Sequence, residues 1–286
     1  MLYNFDGFSG ENIDFYFNEL SKNIKKQLGR NINIDIIVVG GASIVMNYTF
    51  RNSTTDIDYY NSSGIAIKDM INSVGDKYGL PNGWLNNDFV RTSSFSYKIN
   101  SYSKFYKRFN QVLTVRTIKD EYLIAMKLAS FRLYKNDLSD IVGIVLSMKE
   151  KNVDVSFKTI DKAVYEIYGG WDAIKEDAKS FVIKVFNTDN LKEYLVYLKE
   201  NEKENKELLK GFESDYSGVL KSDNIDDILY SLKEKSDNKG FHQEISSYNR
   251  SSIKSLIEDL KKDETGSASD DEFGTDINVP FSGIEQ

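Results

Sequence analysis

The sequence predicts an α/β (α+β) protein, with a small mixed sheet first and a helical region after it. Three observations carry this. Short runs, Ile34–Val39 and Asp56–Tyr60, lie early in the chain between turn residues and suit strands. Segments with apolar residues at helical spacing flank them, over 11–29 and 119–134. From about residue 155 onward every periodic segment is helical.

In chain order, residues 11–29 place Phe17, Leu20, Ile24 and Leu28 on one helix face. Ile34–Val39 is a buried strand ending at Gly40, and Ala42–Phe50 a short helix. Asp56–Tyr60 is a strand, residues 65–79 a crossover helix, and 80–91, LPNGWLNNDFVR, a loop rich in turn residues. Phe95–Ile99 and Val112–Arg116 read as strands. Lys119–Tyr134 is an amphipathic helix with Leu123, Met126, Leu128 and Phe131 as core contacts, and Leu138–Lys149 is a second helix. Helices follow over 157–168, 171–186, 190–209 and 225–235, where runs such as LKENEKENKELLK read as a solvated helix. The expected division is a sheet domain over 1–150, a helical region over 151–262, and an acidic tail over 263–286 whose composition reads as disordered.

Composition excludes several chemistries. The chain has no cysteine, so disulfides and thiolate metal sites are ruled out. One histidine, His242, removes multi-histidine zinc sites and argues against a Ser-His-Asp triad. The start MLYNFDGFSGENIDF lacks the basic and apolar regions of a signal peptide, and no run matches a membrane span. The expectation is a cytoplasmic protein with no membrane partner.

The net charge of −7 is uneven. Residues 263–286 hold seven acids and no Lys or Arg, leaving residues 1–262 neutral in sum. Within these, 91–135 carry ten basic residues against Asp120 and Glu121. Beside an acidic site such a segment suits an anionic substrate such as a nucleotide or RNA. Charge alone favours a plainer reading, a solvated face that balances acids elsewhere.

The stretch VVGGASIVMNYTFRNSTTDIDYY, Val38–Tyr60, concentrates the candidate chemistry. Glycines after a strand let the backbone approach a ligand, and a following helix offers free N–H groups to phosphate. Ser43 adds a hydroxyl there. Asp56 and Asp58, two apart on a strand, face the same way. Two parallel carboxylates repel unless a cation lies between them, and Mg²⁺ takes both carboxylate and phosphate oxygens. Phosphate donors beside a metal clamp are the equipment of phosphoryl or nucleotidyl transfer. Either piece alone is commonplace: a tight turn, or a solvated strand edge.

The order GGAS at 40–43, then R-x-x-T-x-D-I-D from Arg51 to Asp58, resembles the signature of the nucleotidyltransferase (polymerase β-like) superfamily. Within it the chain is most similar to the minimal AbiEii-type proteins of bacterial abortive-infection and toxin–antitoxin systems. VRTIKDEYLIAMKLASFRLYKNDLSDI, Val115–Ile141, resembles that branch's later motifs, with Glu121, Lys127, Arg132, Asp137 and Asp140 at the matching positions. The resemblance covers about residues 12–185. It implies that Gly40, Gly41 and Ser43 bind the triphosphate, that Asp56 and Asp58 hold Mg²⁺ (or Mn²⁺), and that Lys127 neutralises phosphate charge. Arg51, with Thr54 in its spacer, orients the aspartates or contacts substrate. Asp137 and Asp140 pair with Arg132 or Lys127 in support. Trp84 reads as a core anchor rather than a base-stacking platform.

One departure bears on turnover. Many active members carry a third carboxylate on a neighbouring strand, and FSYKI and VLTVR carry none; Asp88 and Asp120 are the substitutes within reach. The resemblance implies transfer of a nucleoside monophosphate from an NTP to a hydroxyl, an RNA or tRNA 3′ end favoured over a protein side chain. The implied setting is a toxin or phage-defence component with an antitoxin partner. The alternative is a non-catalytic nucleotide-binding module.

Overall fold

The computed structural model describes residues 5–237. His242 and the acidic tail over 263–286 lie outside the described residues. The chain divides into two units, Met1–Tyr230 and Ser231–Gln286. The first holds the sheet and most of the helices.

Five strands form one sheet in the order β3-β2-β1-β5-β4. They are β1 (Ile34–Val38), β2 (Ile57–Asn61), β3 (Leu85–Asn86), β4 (Ser103–Phe109) and β5 (Leu113–Ile118). The sheet is mixed: β1 runs antiparallel to β2 and parallel to β5, β2 is parallel to β3, and β4 is antiparallel to β5. Nine helices are described: α1 (Ile13–Leu28), α2 (Gly40–Asn47), α3 (Lys68–Tyr78), α4 (Asp120–Ser130), α5 (Asp137–Glu150), α6 (Phe157–Tyr168), α7 (Glu176–Phe186), α8 (Leu191–Asp215) and α9 (Ile225–Asp237).

The strand alternation sends successive side chains to opposite faces. Ile34, Ile36 and Val38 of β1 join Ile57, Tyr59 and Val115 in a core that α1 and α3 cover with Phe17, Leu20, Ile24, Met70 and Ile71. Ile37 points the other way, into a second core shared by α4, α5, α6, α7 and α8. That core runs without interruption from Leu123 and Ile141 to Ile160, Val182 and Leu195, so α6 to α8 pack on the same sheet face as the motif helices. Trp84 is buried, donates its indole N–H to the Ile71 carbonyl at 3.0 Å and abuts Gly75; it is a core anchor.

Several expectations are corrected. Phe95–Ile99 is not a strand: residues 97–100 form a 3₁₀ turn, and the sheet edge is Ser103–Phe109. In FSYKI, Phe95 and Ile99 both pack into the second core, an i, i+4 relation that fits a helical turn better than a strand. In SKFYKRF only Ser103 and Phe109 are buried, so an edge strand with a bulge between Phe105 and Lys107 lacks the apolar alternation that marks a strand. The loop over 80–91 contains β3 and a second 3₁₀ turn, Asp88–Arg91. Leu28 is exposed in the last turn of α1, while Ile13 takes the inward place. The helix expected over 119–134 stops at Ser130, because Phe131 adopts a left-handed conformation (φ 37°) that turns the chain toward α5. Helix α7 starts at Glu176, after its expected start at 171, and α8 extends to Asp215.

Candidate active site

The motif residues converge where β1 ends, β2 begins and α5 starts. Gly40 opens α2 directly after β1 with φ of 61°, a conformation that favours glycine. A Cβ there would lie 3.1 Å from Asp58 Oδ2. Gly41 is equally constrained: a Cβ would lie 2.6 Å from Arg51 Nη2 and 2.8 Å from Thr54 Oγ1. The two glycines therefore clear space for Asp58 and for the Arg51 guanidinium.

Asp58, on β2, is half-buried, and Asp56 immediately precedes the strand. The Val39 amide donates to the Asp58 carbonyl at 3.0 Å, which pins β2 against the start of α2. Burial first, then the charge of Asp56, raises the Asp58 carboxyl to about 6, against the opposing pull of Arg132 and Lys127. Asp88 adds a smaller push in the same direction. Asp88 is exposed in the turn that follows β3, its amide held by Asn86 Oδ1 at 3.0 Å, and Asn86 is paired in register with Asp58. The other substitute acid, Asp120, is bound to Lys104 at 2.6 Å.

Behind these acids lies a buried ion network. Lys127 Nζ is 2.7 Å from Asp137 Oδ1 and 2.8 Å from Asp140 Oδ2, with all three side chains almost excluded from solvent. Arg132 grips Asp137 with Nε at 2.8 Å and Nη2 at 3.1 Å, and its own amide donates to the same carboxylate at 3.1 Å. Arg51 Nη1 donates to Asp140 Oδ2 at 2.7 Å, while its Nε donates to the Ser53 carbonyl at 3.2 Å. Burial opposes the charge on Lys127, and Asp137 and Asp140 outweigh it, so the ammonium is held above its ordinary pKa. The same balance, burial against Lys127 and Arg132, holds Asp137 well below the usual carboxylate range.

The structure thus joins Gly40, Gly41, Arg51, Thr54, Asp58, Lys127, Arg132, Asp137 and Asp140 through contacts or shared charge, with Asp56 adjoining. It leaves two expected residues aside. Ser43 is fully buried in α2 and its hydroxyl has no protein hydrogen-bond partner. Glu121 stands in the first turn of α4, where its charge is felt by Tyr48 and Tyr122 rather than by the network.

Five of the ten cations in the basic segment 91–135 are spent on pairing. Lys104 meets Asp120, Lys107 meets Asp14, Arg116 lies near Asp35, and Lys127 and Arg132 meet Asp137. The plainer reading of that charge, a solvated face balancing acids elsewhere, holds for Lys104, Lys107 and Arg116, while Lys127 and Arg132 belong to the ion network. Sequence reasoning missed Glu202 of α8. It is buried, and its Oε1 accepts the Leu138 and Ser139 amides at 2.9 and 3.0 Å, capping α5 from another helix. Its place in a run of Lys, Glu and Asn gave no signal in the sequence.

Among the described residues, no group of three or more His, Cys, Asp or Glu side chains is gathered as a metal site, and no described helix is long and apolar enough to cross a membrane. The Asp56–Asp58 pair fits Mg²⁺ on its donor chemistry, since Mg²⁺ is commonly held by one or two carboxylates and completed by water and substrate phosphate.

No curated protein and no solved structure is a significant match to the chain. A family model described as a nucleotidyltransferase of unknown function (DUF6036) matches residues 16–190, well over half of the 286. That span holds every residue of the glycine–aspartate motif and the whole ion network. The chain belongs to this family of nucleotidyltransferases.

Proposed function

We propose that the protein is a Mg²⁺-dependent nucleotidyltransferase that moves a nucleoside monophosphate from an NTP to a hydroxyl acceptor, with an RNA or tRNA 3′ end favoured over a protein side chain. The observation that carries it is Asp58, half-buried beside Asp56 and against Gly40, with Lys127 and Arg132 close enough to lower its pKa. Carboxylates backed by buried cations suit a metal-bridged polyphosphate.

Asp56 and Asp58 would hold Mg²⁺, which when bound would neutralise phosphate charge at the reacting centre. The first-turn amides of α2 face the triphosphate, and Gly40 and Gly41 allow the close approach. The acceptor oxygen bonds to the α-phosphorus, the bond to the pyrophosphate oxygen breaks, and pyrophosphate leaves with that electron pair. Neither β4 nor β5 carries a carboxylate. We therefore assign to Asp88, which is electrostatically coupled to Asp58, the role of taking the acceptor's proton. Arg51, Lys127 and Arg132 position the site through Asp137 and Asp140, and Lys127 supplies positive charge behind the phosphates. The resemblance to AbiEii-type proteins supports a toxin or phage-defence setting with an antitoxin partner. The lack of a strand-borne third acid favours the second reading, a nucleotide-binding module without turnover.

The test is transfer of label from each α-³²P NTP, with Mg²⁺ and total tRNA or without RNA, beside Asp56→Ala/Asp58→Ala. Label on RNA that vanishes in the double variant supports the proposal. Label on protein alone moves the acceptor to a side chain. Metal-dependent NTP binding with no transfer leaves the second reading.

A further inference from the structure

Helix α8 begins at Leu191, one residue past the family match, and its sequence resembles a solvated charged helix. Its position says otherwise. A cavity of about 400 Å³ lies between α8 and the elements of the candidate site, lined by Lys199, Lys203 and Lys206 on one side and by Arg51, Asp140 and Tyr134 on the other. The three lysines follow at i, i+4 and i+7, which places them in one row along the helix. Glu202 and Asn205 fix that row: Glu202 caps α5, and Asn205 Nδ2 donates to the Leu133 carbonyl at 2.7 Å.

The charges in this cavity do not cancel. Asp140 is neutralised by Arg51 and Lys127. Glu207 pairs with Lys210 at 2.9 Å, and Lys206 and Lys203 act on it more weakly. Glu202 is buried, and that burial raises its carboxyl to about 7. Lys199 donates to the Phe50 carbonyl at 2.6 Å, a contact that leaves its charge uncompensated. Lys203 and Lys206 make no hydrogen bond or ion pair among the described residues. Lys135, on the loop between α4 and α5, lies outside the cavity lining; burial of its ammonium, then Arg132 and Lys206, lowers it, while Asp56 pulls the other way. The lysine row therefore faces Arg51 and Asp140, which belong to the contact network of the candidate site.

We propose that this row is the path of a single-stranded RNA acceptor, whose phosphodiester backbone lies along Lys199, Lys203 and Lys206 and delivers its 3′ end toward Asp56 and Asp58. The inference rests on the nucleotidyltransferase reading of that site. Two features select a polynucleotide strand. The lysine row spans about 10 Å at 1.5 Å per residue, which suits successive phosphates better than one compact triphosphate. Tyr134 also lines the cavity, and cations beside an aromatic side chain are what single strands use for backbone and base contacts.

The experiment measures binding of a fluorescein-labelled single-stranded RNA of about twelve nucleotides to the full chain, without NTP or metal, across a salt series. It compares the wild type, Lys203→Ala/Lys206→Ala, and the control Lys98→Ala/Lys158→Ala, which removes two exposed lysines outside the cavity. Each is also made in an Asp56→Ala/Asp58→Ala background, and ATP binding with Mg²⁺ is measured in parallel. The expected result is an affinity loss of about tenfold for the α8 variant, with a salt slope shallower by about 1.4, against little change in the control. Unchanged RNA affinity, a control that loses as much, or a loss confined to ATP would overturn the proposal. RNA binding that depends on the α8 lysines in a protein that transfers no label would sustain the RNA path and refute the enzyme reading, so the two failures are separable.

Discussion

Arg51 Nη1 lies 2.7 Å from Asp140 Oδ2, across 89 residues of sequence. This contact joins the glycine–aspartate motif to the helix that carries the ion network. It explains the spacing of both motifs: Arg51 reaches Asp140 only because Gly41 has no side chain in its way. Arg51→Ala leaves Asp140 to Lys127 alone.

The same contact yields a coupling test. Gly41→Ala places a methyl 2.6 Å from the guanidinium, so it is expected to cost about 1–3 kcal/mol and to depress nucleotidyl transfer as Arg51→Ala does. Because both changes break one contact, Gly41→Ala/Arg51→Ala should cost clearly less than the sum of the singles. Chemical denaturation and label transfer of the four proteins would check this; strict additivity would show the contact to be inert.

Lys127 is the shared cation of two buried carboxylates. Lys127→Met removes it and leaves Asp140 to Arg51 and Asp137 to Arg132, two buried carboxylates each short of one cation. The expected destabilisation is about 3–5 kcal/mol, the range for breaking a buried ion pair from one side. Urea unfolding measures it, and a loss below about 1 kcal/mol would mean that water enters the network.

Asp58 sets the acid limb of activity. Its carboxyl is raised to about 6, so it is protonated, and a poor metal ligand, below that pH. Mg²⁺ binding competes with that proton, so the Mg²⁺ concentration needed for half-maximal transfer is expected to rise as pH falls below about 6. The stability sign is opposite. Between the ordinary carboxylate pKa and about 6 the folded protein binds the extra proton, so metal-free stability falls as pH rises through that window. Asp58→Asn should abolish transfer yet stabilise the metal-free protein by about 1–2 kcal/mol above that window, after discounting for partial exposure. Thermal melts in chelator at several pH values decide it.

Glu202 behaves in the same sense with a higher midpoint. Its carboxyl is raised to about 7 by burial, against the Ser139 and Leu138 hydrogen bonds. Folded stability is therefore expected to decline as pH rises from the unfolded carboxylate range to about 7. Glu202→Gln keeps an oxygen for the two amides and should flatten the decline, whereas Glu202→Ala loses the cap at a cost of about 1–2 kcal/mol. A Gln variant whose melting curve tracks the wild type at every pH would exclude Glu202 as the titrating group.

Much of the architecture was legible because burial imposes period. Strand β1, helix α6 and the core face of α4 follow directly from the placing of apolar residues, and α6 occupies the residues its pattern marks, with a Ser156–Thr159 capping box at its start. The edge strand β4 was not legible: Phe105 is exposed and its neighbours are charged, so its strand geometry comes from pairing with β5 rather than from a buried face.

The residues that carry the proposed chemistry can be read along the chain. Its glycines, its two aspartates and its later Lys, Arg and Asp positions are each constrained by local stereochemistry or charge, and local rules are written in linear order. How those charges are shared is a property of the packed fold. A lysine in a sequence is a cation with no address; folding buries Lys127 between two carboxylates and leaves Lys203 and Lys206 free above the site. Coulombic and desolvation energies depend on distances through space, and those distances exist only once α4, α5 and α8 have packed together.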